Sequence, residues 1–131
     1  MSEYLLTEKT NTLAVFFAET IQERQFSEYL EETYTEDDDP INQFAADLGS
    51  WFYDHDDQEA VFFAEPKPVD DFLEGASWFE SYNAAVVSRL KELGVTSVQA
   101  TVLLFDHQFL GSSLPDSSPL TFAGNFGFEK S

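Results

Sequence analysis

The densest run of groups able to do chemistry is Tyr53-Asp54-His55-Asp56-Asp57-Gln58-Glu59, where four carboxylates and an imidazole fall within seven positions. Converging carboxylate oxygens suit calcium or magnesium. The run lacks the central Gly and the evenly spaced ligands of an EF-hand loop, so a solvated or partner-facing acidic edge is the better reading. His55 and His107, the two histidines, each adjoin Asp (Asp54 and Asp56; Asp106). Adjacent positions on a strand point to opposite faces, which argues against a His-carboxylate acid/base pair in either place. Ser112 and Ser113 near His107 lack the Gly-x-Ser-x-Gly elbow of a nucleophilic serine. The chain has no Gly-x-Gly-x-x-Gly, no Walker Gly-Lys-Ser/Thr, no His-Glu-x-x-His and no Cys. Thiolate sites and disulfides are thereby excluded, and no catalysis, cofactor or metal is expected.

A second acidic run, Glu36-Asp37-Asp38-Asp39, precedes Pro40. Of the formal charge of -19, a net -16 lies between Glu19 and Glu74, where 18 acidic residues face only Arg24 and Lys67. Phe26, Tyr29, Phe44, Trp51, Phe62 and Phe63 interleave with this charge. Disordered acidic tracts lack such aromatics, so the acid is expected on folded structure. Attraction to nucleic acid or to an anionic membrane is excluded by the sign of the charge, and a basic protein partner is favoured. Charge at this density costs stability through self-repulsion. Glu36, Asp37, Asp38, Asp39, Asp54, Asp56, Asp57 and Glu59 are therefore expected to form a partner-binding surface.

The elements that would carry these groups follow from apolar periodicity. Thr12 to Ala18 is an apolar run without helical period and predicts a buried strand. Thr20 and Glu23 have the spacing of a capping box ahead of Phe26, Tyr29, Leu30 and Tyr34 on one helical face. Asp39 as cap, Pro40 in the first turn and Ile41, Phe44, Ala45 and Leu48 predict a second helix ended by Gly49. Glu59 to Ala64 alternates as a strand, closed by Pro66 and Pro68. Ser77 and Glu80 suggest another capping box, followed by the longest apolar stripe, Trp78, Tyr82, Ala85, Val86, Leu90 and Leu93, ended by Gly94. Val98 to Phe105 reads as a strand, with a tight hairpin at Asp106-His107 leading to a short return strand. In the last strand Leu120, Phe122, Gly124, Phe126 and Phe128 alternate onto one face.

The 131 residues fit one domain, with 14 Phe, 5 Tyr and 2 Trp to build its core. The element order predicts an α+β fold, a largely antiparallel sheet with helices packed on it, with residues 1–11 as a loosely ordered segment. The start lacks a basic n-region, and the Leu13 to Ala18 run is too short for a signal or a membrane span, so a cytoplasmic location is expected.

These segments together resemble the Immunity protein 22 family, small proteins found beside toxin genes in bacterial polymorphic toxin systems. The resemblance spans roughly Leu13 to Phe128. It is carried by Phe26-Ser-Glu-Tyr29-Leu30-Glu-Glu with Tyr34, by Asn42-Gln-Phe44-Ala-Ala-Asp47-Leu-Gly49, by Tyr53-Asp54-His-Asp56 with Glu59, and by Phe122-Ala-Gly124-Asn125-Phe126. Where the family's first strand often ends in Trp-x-Gly, this chain has Phe16-Phe17-Ala18. The resemblance implies a cytoplasmic antitoxin that binds and blocks a cognate toxin domain, often a nuclease. An acidic nucleic-acid mimic acting on DNA- or RNA-binding proteins is the alternative with the same sign of charge.

Overall fold

The computed structural model describes residues 6–31, 33–34, 40–41, 43–48, 58–116 and 118–129. The elements run β1 (Leu6–Ala18), α1 (Glu23–Leu30), β2 (Thr33–Tyr34), β3 (Pro40–Ile41), α2 (Gln43–Asp47), β4 (Gln58–Pro68), a 3-10 turn (Phe79–Ser81), α3 (Asn83–Glu92), β5 (Ser97–Phe109) and β6 (Thr121–Gly127). Four strands form one antiparallel sheet in the order β4-β5-β1-β6, and β2 pairs with β3 separately. This is the expected α+β arrangement.

Both faces of the sheet are covered. On one, Phe26 and Tyr29 of α1 and Phe44 and Leu48 at α2 pack on Ala14, Phe16, Val102 and Leu104. On the other, Tyr82, Val86 and Leu90 pack with Val69, Phe72 and Leu73 on Leu13, Val15, Leu103 and Phe105. Two-sided burial explains why Leu13–Ala18 is an unbroken apolar run, since antiparallel strands with one wet face alternate instead. Each face has its own aromatic cluster. Phe16 gathers Phe44, Phe109 and Phe122 at 5.0, 5.9 and 5.2 Å on the first face. On the second, Trp78 rests on Phe105 and Phe128 at 5.2 and 5.8 Å.

Of residues 1–11, expected to be loosely ordered, 1–5 lie outside the described residues, and Leu6, Thr7 and Glu8 pair with Phe109, Gln108 and His107. The expected hairpin at Asp106-His107 is likewise replaced by a bend within one continuous strand. Phe16 pairs with Val102, and a straight strand would carry Phe109 about 23 Å further on. Their rings nevertheless meet, so β5 must fold over. Asp106 (φ 60°) and Asn11 (φ 61°) make the bend together in left-handed backbone, which short polar side chains tolerate best. Four β1 residues, 9 to 12, lie between the pairs that flank the single residue Asp106. The Asn11 N–H donates to Asp106 Oδ1 at 3.0 Å, and Asn125 holds Phe109's backbone N–H and carbonyl at 2.8 Å each.

The single-faced alternation expected of the last strand is also corrected. Val15 pairs with Gly124 but Phe16 with Phe122, so one extra β6 residue is inserted at Ala123. Gly124 takes φ 148°, open only to glycine without strain. The bulge sends Phe122 to the first face and Phe126 and Phe128 to the second.

Helix boundaries moved for identifiable reasons. The N-cap of α1 is Gln22, with no side-chain cap from the Thr20-Glu23 box. Pro40 and Ile41 pair with Tyr34 and Thr33 rather than opening a helix, and α2 starts at Gln43; the expected cap, Asp39, and stop, Gly49, lie outside the described residues. Ser77 binds elsewhere and Trp78 stands in left-handed backbone (φ 54°), so α3 begins only at Asn83. Its end is as expected. Gly94 (φ +82°) supports a Schellman closure, with Val95 N–H on Leu90 O and Gly94 N–H on Lys91 O. Pro66 lies inside β4 and Pro68 ends it as expected; an edge strand tolerates the inner proline because its outer amides need no partner strand.

Candidate functional site

Glu59 is the one member of the expected acidic surface within the described residues, and it is tied inward. It stands second in β4, on the face that carries Val61 and Phe63. Its Oε1 accepts the Ser77 hydroxyl at 2.7 Å and its Oε2 the Ser77 N–H at 3.0 Å. The Ser77 carbonyl accepts the Tyr82 phenol at 2.7 Å, closing a chain from the edge strand to the start of α3. Burial, and then the nearby Glu59 carboxylate, push the Tyr82 phenol well above its ordinary range. Trp78 stands in the middle of this clip. A bulky residue in left-handed backbone is an outlier that its surroundings must hold, and here the ring packing on Phe105 and Phe128 does so.

The other expected surface residues lie outside the described residues, but their attachments do not. Tyr34 and Pro40 are paired, which holds both ends of the segment carrying Glu36, Asp37, Asp38 and Asp39 at one place. Asp54, Asp56 and Asp57 lead directly into Gln58, which pairs with Leu104 at the head of β4. Between the two runs, Phe44 and Leu48 are fully buried against the sheet. Asp47 accepts the Tyr29 phenol at 2.6 Å, and that phenol also meets Ser118 Oγ at 2.7 Å. The described residues next to the two runs are thus paired strand residues, Tyr34 and Pro40 around the first and Gln58 after the second.

Further exposed carboxylates lie outside the expected set. Phe26 of α1 sits over Phe62 of β4 at 6.2 Å, so the helix flanks the sheet edge. Glu23 and Glu28 of this helix, and Glu31 just after it, are exposed. The signal was present, since Glu28 and Glu31 lie on the polar face of the same helical pattern. Further along, Glu65, Asp70, Asp71 and Glu74 are exposed as well. Few cations offset them: Arg24 pairs with Glu28 at 2.9 Å and Lys91 with Asp70 at 2.8 Å, both in solvent where such pairs contribute little.

The polar groups considered for chemistry serve the backbone. His107 is buried and its Nδ1 donates to the Phe105 carbonyl at 2.8 Å, while Asp106 Oδ1 holds Asn11. His55 lies outside the described residues. Ser112 and Ser113 line a shallow concavity with Arg89, whose Nε donates to the Ala123 carbonyl at 3.1 Å. A concavity of about 480 Å3 beside the bend is lined by Asn11, Ser81, Gly127, Phe128 and Glu129. The Ser81 hydroxyl there donates to the Trp78 carbonyl and accepts the Glu129 N–H. Among the described residues no three His, Asp or Glu side chains gather as a metal site, and no helix is long and apolar enough to cross a membrane.

No curated protein matches the chain, and neither does any solved structure. The family model described as Immunity protein 22 matches residues 14–129, from the buried part of β1 through β6, and so takes in every helix, the Glu59 clip and both acidic runs. The chain therefore belongs to the Immunity protein 22 family.

Proposed function

We propose that this protein is a cytoplasmic antitoxin that binds and neutralises a cognate toxin domain, a basic one such as a nuclease, through its acidic surface and without catalysis. Membership of an immunity-protein family over residues 14–129 carries the reading. The charge supplies the chemistry of the partner. A nuclease presents a basic cleft to its phosphate substrate, and a chain carrying a net -16 between Glu19 and Glu74 is complementary in charge to that cleft. Such a field speeds encounter to as much as about 10⁸–10⁹ M⁻¹s⁻¹ at low salt. Glu36, Asp37, Asp38, Asp39, Asp54, Asp56 and Asp57 are the proposed contacts. Glu59 belongs to the same surface, and its clip to Ser77 supports a positioning part for it.

Co-expression tests the reading. Cells producing the toxin domain encoded beside this chain should survive when the chain is present and die when it is absent. Survival that depends on no complex between the two purified proteins, or equal inhibition of unrelated nucleic-acid-binding proteins, would contradict it.

A further inference from the structure

The sheet has two edges, and they are finished differently. On β6, the outer carbonyl of Ala123 accepts the Arg89 guanidinium, and the bulge at Ala123-Gly124 breaks the line of the strand. The C-terminal half of β4 is blunted in another way. Its pairing with β5 lapses between Phe62 and Lys67, Gln99 Nε2 holds the Phe63 and Ala64 carbonyls at 3.3 and 3.5 Å, and Pro66 and Pro68 remove two amides. Bulges, prolines and charges of this kind are how sheets keep foreign strands off an edge. Ala60, Val61 and Phe62 have none of them. They keep regular pairing with Val102, Thr101 and Ala100, and among the described residues β4 pairs with β5 alone.

This stretch is also held rigid from both faces. Phe62 lies under Phe26 of α1 on one side, and Glu59 is clipped to Ser77 on the other. A preordered edge lowers the entropic cost of adding a strand, whose main-chain hydrogen bonds then give affinity. Exposed carboxylates lie on the neighbouring elements: Glu23 and Glu28 on α1, whose Phe26 contacts Phe62, Glu31 just after it, and Glu65 further along β4. We infer that the edge of β4 at Ala60–Phe62 is a docking line for an extended, lysine- or arginine-bearing segment of the cognate toxin, which adds to the sheet as a fifth strand. This inference rests on the antitoxin reading above and gives it a structural mode of contact.

The test uses the whole chain and the purified toxin domain encoded beside it. Amide hydrogen exchange is followed with and without the toxin, and binding is measured for Ala60→Lys and Ala84→Lys. Both alanines are exposed, on β4 and α3, and both changes add the same charge, so steering by net charge is altered equally. A lysine on the edge repels a basic strand locally and is itself a natural edge guard. Slowed exchange at Ala60–Phe62 in the complex is expected, with A60K weakening binding about tenfold more than A84K, the scale of one modest like-charge contact. Tight binding with unchanged exchange across β4, or equal losses from the two variants, overturns the docking line and leaves the antitoxin reading standing. The exchange result decides the matter by itself if A60K fails to fold. Absence of any binding by the unaltered chain overturns the reading, and this inference with it.

Discussion

Glu59 spends both carboxylate oxygens on Ser77 and lies close enough to Tyr82 to help keep that phenol neutral. Removing the side chain leaves the Ser77 N–H and hydroxyl to water and frees the head of β4 from the turn before α3. Glu59→Ala should therefore cost about 1 kcal/mol, the scale of a partly solvated hydrogen-bonded group, and Glu59→Gln less; urea unfolding measures both. Tyr82 gives a second test with a definite sign. Its folded pKa lies above the unfolded value near 10, so the stability it contributes is complete below that pH. Above it the unfolded state loses the proton first, and stability should fall as pH rises. An ultraviolet titration should find Tyr82 ionising well above the ordinary tyrosine range, and Glu59→Gln should bring its titration down. The sequence placed Glu59 in an acidic run but could not show where it points. Its partner is 18 positions away, and only the pairing of β4 with β5 sets the face on which the carboxylate emerges.

At the level of elements, periodicity located what is locally encoded. The apolar run of β1, the Tyr82, Val86 and Leu90 part of the stripe, and the Gly94 stop stand in the structure as read, whereas Ala85 and Leu93 of that stripe are exposed. What escaped was whatever two strands do jointly. Asp106 looks like a hairpin residue because a left-handed position favours it in either setting, and only its pairing across to Asn11 makes it a bend. Asp106→Gly keeps that backbone accessible and loses the bond to Asn11, whereas Asp106→Ala loses both. The alanine should be the worse by about 1 kcal/mol in unfolding experiments. One residue inserted at Ala123 similarly reverses every later side chain of β6, and alternation counted along the sequence cannot detect it. Phe16 joins α2, the folded-over arm and β6 through rings at 5.0 to 5.9 Å, so Phe16→Ala should cost about 3–5 kcal/mol. That is a large share of the roughly 5–15 kcal/mol of an ordinary domain, and it should appear as a sharp fall in Tm.

Across the whole molecule the charge is strongly one-sided. A net -19 on 131 residues opposes compaction, and the described ion pairs are exposed ones that offset little of it. Raising salt from about 0.01 M to 0.15 M shortens the screening length from about 30 Å to 8 Å, so Tm should rise over that range. Association with a basic toxin should slow over the same range, since the field that destabilises the free protein is the one that speeds encounter. Binding through the two acidic runs is tested by the association rate with the toxin domain, measured by stopped flow against ionic strength for three sets of neutralised variants. Replacing Asp37, Asp38 and Asp39 by Asn, or Asp54, Asp56 and Asp57 by Asn, should slow association and flatten its salt dependence. Replacing Glu3, Glu8 and Glu129 by Gln removes the same charge elsewhere and should matter much less. Equal slowing by all three sets would reduce the claim to net charge, and unchanged rates in the first two would contradict the acidic surface as the binding site.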